Sequence, residues 1–251
     1  MKNKLEIQGV SYLYSKGTPF QKLALDDVTV GFEEGKITGL IGGNGSGKST
    51  TMRMIATLLK QDSGTIEING IDTIKDPVSA RKQIGILLGG DVSLYDKLTA
   101  RENILYFADL QGMDKEDSKK SLEELSSLLG MNDFLDRQVA GFSRGMRQKV
   151  AFARSIIHDP DILLLDEPST GLDINSIKDV QDFILFCKER KKTIILSTHN
   201  AHEMETLCDN IVFIEEGRII AEGKKDDLLK KHNCKYVSDM FFCLRDGGAS
   251  K

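Results

Sequence analysis

The run Gly42-Gly43-Asn44-Gly45-Ser46-Gly47-Lys48-Ser49-Thr50 constrains this chain more than any other segment. Gly42, Gly47, Lys48 and Ser49 fall at the spacing of the phosphate-binding P-loop, G-x-x-x-x-G-K-[ST]. A strand-like stretch, Ile37–Ile41, precedes the loop, and a helix-like segment, Thr50–Lys60, follows it. That strand–loop–helix order is the context the motif needs, and a glycine-rich turn with a chance lysine does not account for it. Glycines let the backbone take conformations closed to other residues and turn its N–H groups toward phosphate oxygens. The helix N-terminus adds donors and a partial positive charge. Lys48 is expected to reach the β- and γ-phosphates, and Ser49 to bind magnesium. Alone, the loop implies only that the chain binds a nucleoside triphosphate.

The rest of the chain decides what kind of nucleotide protein this is. At 251 residues it is long enough for one large core with a subdomain. The formal net charge of -4 argues against an extended nucleic-acid footprint, which is normally basic. No stretch reaches the ~18 apolar residues of a membrane span. Met1–Val10 is polar and then alternating, unlike a signal peptide. Cys187, Cys208, Cys234 and Cys243 show no C-x-x-C spacing and suit a reducing cytoplasm as packing residues.

The hydrophobic pattern alternates between strand and helix. Leu5, Ile7 and Val10 read as a half-exposed strand and Val28–Phe32 as another. Thr65–Asn69 and Ile84–Leu88 follow, with a helix start at Asp76-Pro77 between them. Thr99–Leu110 and Lys115–Leu129 then read as two consecutive helices, which predicts a helical subdomain at about 91–142. Alternation resumes with a helix over Ser143–His158, a strand over Ile162–Asp166, a helix over Ile174–Arg190 and a strand over Thr193–Ser197. A helix at Ala201–Cys208 and a hairpin across Glu216-Gly217 complete the main domain, expected to span 1–223. A helical tail over 224–251 carries Tyr236, Met240, Phe241 and Phe242, which suit packing on the body or on a partner.

Ile162-Leu163-Leu164-Leu165-Asp166-Glu167-Pro168 is the second strong signal. Four apolar residues imply a strand buried on both faces. Acids at its C-terminal end fall where open α/β sheets place ligands. Asp166 is expected to hold magnesium, and Glu167 to act as general base for an attacking water. Ser143, in Gly141-Phe142-Ser143-Arg144-Gly145-Met146, can cap a helix and leave backbone N–H groups free for an anion.

The order of these pieces resembles the ABC ATPase family: a P-loop, then Phe142-Ser143-Arg144-Gly145-Met146, then the acidic strand, Thr170-Gly171-Leu172-Asp173 and Ser197-Thr198-His199. The similarity covers nearly the whole chain, from Leu5 to Gly223. It implies a P-loop NTPase core with a mixed sheet, an antiparallel β subdomain near the N-terminus and a helical subdomain. ATP and Mg2+ are the implied ligands. The family's signature, LSGGQ, binds the γ-phosphate from the opposite subunit; Ser143 and Gly145 survive here, whereas Phe142, Arg144 and Met146 depart from it. The resemblance makes Asp173 a contact across the dimer interface and His199 a γ-phosphate contact that steadies Glu167. It assigns adenine stacking to Tyr14, with Tyr12 and Phe20 as alternatives. It implies a homodimer or heterodimer of nucleotide-binding subunits, docked on integral-membrane permease subunits at the inner face of the membrane.

Where the family carries a glutamine after the strand at Ile84–Leu88, this sequence continues Gly89-Gly90-Asp91. This segment, the run Leu94–Asn103 and the signature together look most like bacterial sodium-efflux exporters, with drug and lipid exporters close behind. A non-transport ABC ATPase acting on ribosomes or DNA is the alternative. Those proteins usually carry two cassettes or a long coiled coil; this chain has one P-loop and no sustained heptads. A non-hydrolysing regulatory scaffold is a third reading, opposed by the presence of both Glu167 and His199. His199-Asn200-Ala201-His202-Glu203 lacks the H-E-x-x-H order of a zinc site.

Overall fold

The computed structural model describes residues 3–87 and 94–245. The segment Gly89–Asp91, where the family glutamine is replaced, lies outside the described residues.

Two sheets divide the strands. β1 (Asn3–Tyr14), β2 (Lys22–Glu33), β4 (Ser63–Ile68) and β5 (Ile71–Asp72) form an antiparallel sheet ordered β2-β1-β4-β5. The second sheet holds β3 (Ile37–Ile41), β6 (Ile84–Leu87), β7 (Ile162–Asp166), β8 (Thr193–Ser197), β9 (Asn210–Glu215) and β10 (Arg218–Lys224). Its order is β10-β9-β3-β8-β7-β6, parallel except for the antiparallel edge strand β10. This is the mixed-sheet P-loop core with its antiparallel β subdomain.

Period-two alternation buries both faces of the central strands. Ile162 and Leu164 of β7, with Ile195 of β8, join a core shared with the antiparallel sheet and α1 (Lys48–Ile55). Leu163, Leu165, Ile194 and Leu196 join the opposite core. That core is closed by α3 (Ala100–Gln111), α4 (Lys115–Leu128), α5 (Arg144–Ile156) and α6 (Ile174–Glu189). Each such fully buried Leu or Ile contributes about 1.5–3 kcal/mol. The helices of 100–142 do not form a core of their own, because Ile104, Leu122, Leu125 and Phe142 pack with Phe152 of α5 and Leu163 of β7.

Local chemistry sets the element ends. Asp76 caps α2 (Pro77–Lys82), accepting from the Ser79 N–H at 3.1 Å, with Pro77 at the first helical position. Thr99 and Glu102 form a capping box on α3. The P-loop helix is shorter than its sequence pattern predicts: α1 ends at Ile55, and Thr57 turns to φ 59°.

α7 (Ala201–Leu207) is followed by the hairpin β9–β10, then α8 (Lys225–Lys231) and α9 (Val237–Arg245). Val237 and Met240 are fully buried against the core that holds Met204, Leu207 and Phe213. The Val237 N–H donates to Glu205 of α7. Through these residues α9 packs on the body, and its buried stripe adjoins the helix that follows His199.

Candidate functional site

The site forms at the C-terminal ends of β3, β7 and β8. β7 pairs with β8 through Asp166 and Ser197, which aligns the Asp166-Glu167 step beside Thr198-His199. β3 pairs with β8 on its other side and delivers the loop at Gly42.

The loop requires its glycines. A methyl group on Gly42 would lie 2.1 Å from the Ile214 carbonyl oxygen, so any larger residue would displace β9. Gly47 sits at φ 119°, left-handed backbone that disfavours side chains. The loop is pinned to the hairpin turn by the Gly217 N–H, which donates to the Ser46 carbonyl at 2.8 Å. Ser46 is buried, and its hydroxyl has no partner among the described residues. Gly43, Asn44 and Gly45 form the more open side of the turn.

Lys48 folds back over this loop. Its ammonium donates to the carbonyls of Gly42 at 2.7 Å and Gly43 at 2.9 Å. Burial pushes its pKa down, opposed by the nearby carboxylates of Asp166, Glu167 and Glu215. The lysine is thus a buried cation held by its own loop.

Ser49 and Asp166, separated by over a hundred residues, meet: the Ser49 hydroxyl donates to Asp166 Oδ2 at 3.2 Å. A hydroxyl and a carboxylate are hard oxygen donors suited to Mg2+. No group of three or more His, Cys, Asp and Glu among the described residues could hold a metal ion. Two protein oxygens fit Mg2+ in its usual setting, where waters and substrate phosphates complete the shell.

Glu167 is fixed from several sides. Its N–H donates to the Ser197 carbonyl at 2.8 Å, and the Thr170 hydroxyl donates to its Oε2 at 3.1 Å. His199 Nε2 stands 2.9 Å from its Oε1. Its backbone lies at φ 50° immediately before Pro168, a conformation costing on the order of 1 kcal/mol or more that the surrounding bonds enforce. The turn bearing His199 is braced by Thr198, whose hydroxyl donates to the buried Glu203 at 2.6 Å and accepts from the Asn200 N–H at 3.0 Å.

Tyr14, at the end of β1, reaches the loop's helix: its hydroxyl lies 3.2 Å from that of Thr50. Tyr12 packs edge-on against it at 4.8 Å and also contacts the core. Phe20 is 83% exposed.

A second group of expected residues gathers around α5. Ser143 caps the helix, accepting from the Met146 N–H at 3.2 Å. Phe142 is buried against Phe134, its ring centroid 5.2 Å away. Gly145 packs so closely on α6 that a methyl group there would meet Ser176 Oγ at 2.5 Å. Asp173 caps α6, accepting from Asn175 N–H, Ser176 N–H and the Ser176 hydroxyl; these bonds, that of the Ser176 N–H first, hold its carboxyl below the usual range.

A family model described as ABC transporter matches residues 25–170. The ABC transporter ATP-binding protein NatA of Bacillus subtilis is 44% identical over 87% of this chain and 89% of its own length. The chain belongs to the ABC transporter family. The bacitracin transport ATP-binding protein BcrA of Bacillus licheniformis is 38% identical over 85% of the chain and 69% of its own length. Among solved structures, a dimeric ATP-binding cassette, MJ0796, in a post-hydrolysis state bound to ADP and Pi, superposes with a TM-score of 0.78. It is 26% identical over 88% of this chain and 98% of that one. The ABC transporter subunit described here is an ATPase. Among its described residues, no helix is long and apolar enough to cross a membrane.

Some of this ABC subunit's site escaped sequence reasoning. The motif around Thr170 gives it no task, yet it holds Glu167; a hydroxyl three residues after a strand-end acid is the signal that points to it. The buried Thr198–Glu203 pair has no comparable signal, since surface and buried glutamates look alike in sequence.

Proposed function

We propose that this chain is the ATP-hydrolysing subunit of an exporter and works as a pair of copies closing over two ATP molecules. The pairing of Glu167 with His199 beside the Ser49–Asp166 contact carries this reading. Lys48 exchanges its loop carbonyls for the phosphates. Ser49 and Asp166 would hold Mg2+, which when bound would supply neutralisation of phosphate charge. Glu167 takes a proton from the water that attacks the γ-phosphorus, ADP leaves, and His199 orients the carboxylate and contacts the γ-phosphate. Tyr14 stacks on adenine, while Ser143, Gly145 and Asp173 serve the nucleotide held by the opposite copy.

Permease subunits would dock at the start of the helical region and place the cassette on the cytoplasmic face. Tyr95, Tyr106 and Leu110 are exposed there, the two tyrosine rings edge-to-face at 5.4 Å. The sequence resemblance favours sodium as cargo, and the likeness to BcrA makes a drug or lipid the next choice. The decisive experiment is Glu167→Gln: it should trap an ATP-bound dimer with almost no turnover. Unimpaired hydrolysis would overturn the base assignment. Transport of sodium and of a drug panel, measured in vesicles with the permease, tests the cargo.

A further inference from the structure

The departure of Arg144 from the family's glycine has a structural counterpart. The first turns of α5 interlock with residues 168–176 at three points. Gln148 Nε2 donates to the Pro168 carbonyl at 2.8 Å, and both are buried. Gly145 abuts Ser176, which is bonded to Asp173. Between them the Arg144 guanidinium lies so close to Gly171 that a methyl group there would meet Nη1 at 2.3 Å and Cζ at 2.7 Å. Gly171 is also at φ 72°, left-handed backbone that favours glycine. Among the described residues no carboxylate pairs with Arg144, although its side chain is exposed. The guanidinium is planar and more weakly hydrated than an ammonium, which suits it to lie on a bare peptide. The next residue back, Thr170, holds Glu167 Oε2.

We propose that Arg144 is a positioning residue for hydrolysis: by bearing on Gly171 it fixes the Thr170 hydroxyl and, through it, the Glu167 carboxylate. The inference rests on the proposed dimer and on Glu167 as base. In that dimer the first turn of α5 faces ATP held by the partner, whereas Glu167 acts on ATP in its own P-loop. Arg144 therefore joins the two nucleotide sites within one chain.

The test is steady-state ATPase kinetics on Arg144→Ala, Arg144→Lys, Thr170→Val and the Arg144→Ala/Thr170→Val double variant, with Glu167→Gln in parallel. Arg144→Ala should lower kcat about tenfold, as for one lost positioning hydrogen bond, with KM for ATP unchanged. Lysine, a cation without the planar fork, should restore part of the rate. Thr170→Val should show a similar loss, and adding Arg144→Ala to it should cost nothing more, because both act through one contact. Wild-type kcat in Arg144→Ala, a rise in KM alone, or additive losses would overturn the inference. If Glu167→Gln is inactive while Arg144→Ala is normal, only the role of Arg144 fails. If Glu167→Gln hydrolyses normally, the base assignment fails with it.

Discussion

His199 Nε2 lies 2.9 Å from Glu167 Oε1, while the opposite carboxylate oxygen is held by Thr170. Two neighbours on two different segments thus leave the carboxylate little freedom to turn. The general base proposed for Glu167 must be aimed before its proton affinity matters. His199→Ala should therefore lower kcat by about a hundredfold while nucleotide binding persists. Fluorescent-ATP titration beside a phosphate-release assay measures both. Parallel loss of binding and turnover would make His199 a binding residue instead.

Much of this site was legible because its signals are local. P-loop spacing sits within nine residues, and the apolar run of β7 announces a strand buried on both faces. What joins Ser49 to Asp166, or Arg144 to Gly171, is tertiary: pairing of β7 with β8 and β8 with β3 sets the first, and packing of α5 on the loop before α6 sets the second. The folding of Lys48 onto Gly42 could not be read from the motif, which specifies only where the side chain begins. The sequence pattern runs the P-loop helix on to Lys60 because its C-terminus carries Thr57 where glycine is the usual stop.

His158 gives the fold a dependence on acid. It is half-buried two residues beyond α5, its Nε2 at 3.1 Å from the Ile84 carbonyl and its Nδ1 without a partner among the described residues. Burial pushes its pKa down; the Ile84 carbonyl opposes this, Lys192 adds to it, and Asp159 opposes it. The unfolded chain takes up the proton near the ordinary value of about 6.5, before the folded chain does. Stability is thus intact above that pH and falls as pH drops toward the lower folded value, by at most about 1.4 kcal/mol per pH unit. Urea unfolding at pH 7.5 and 5.5 should show a smaller acid loss for His158→Gln than for wild type. Equal losses would remove His158 as the cause.

The cysteines should divide by reactivity. Burial pushes the thiols of Cys187 and Cys208 up to about 12, which leaves almost no thiolate near neutrality. Cys243 is exposed and Cys234 half-buried, their sulfurs 3.9 Å apart. Burial and the contact with Cys243 also raise Cys234. A disulfide reagent on the native protein should label Cys243 first and Cys234 more slowly, with Cys187 and Cys208 reached only in denaturant. Peptide mapping by mass spectrometry identifies the order, and native labelling of Cys208 would contradict it.

Thr57 ends α1 in a conformation that suits another residue. The Thr57 N–H donates to the Met54 carbonyl and the Leu58 N–H to the Arg53 carbonyl, the paired bonds of a Schellman cap. Glycine usually fills the left-handed position; Thr57 holds it at φ 59° with a branched side chain. In partial compensation its hydroxyl accepts from Arg81 at 3.0 Å, an exposed bond of small net worth. Thr57→Gly relieves the strain but gives the unfolded chain more freedom to lose. The balance should favour glycine by about 0.5–1 kcal/mol, raising Tm by roughly 1–4 °C for a chain of this size. Calorimetry of the two proteins decides it, and a lower Tm for glycine would mean that the Arg81 contact outweighs the backbone strain.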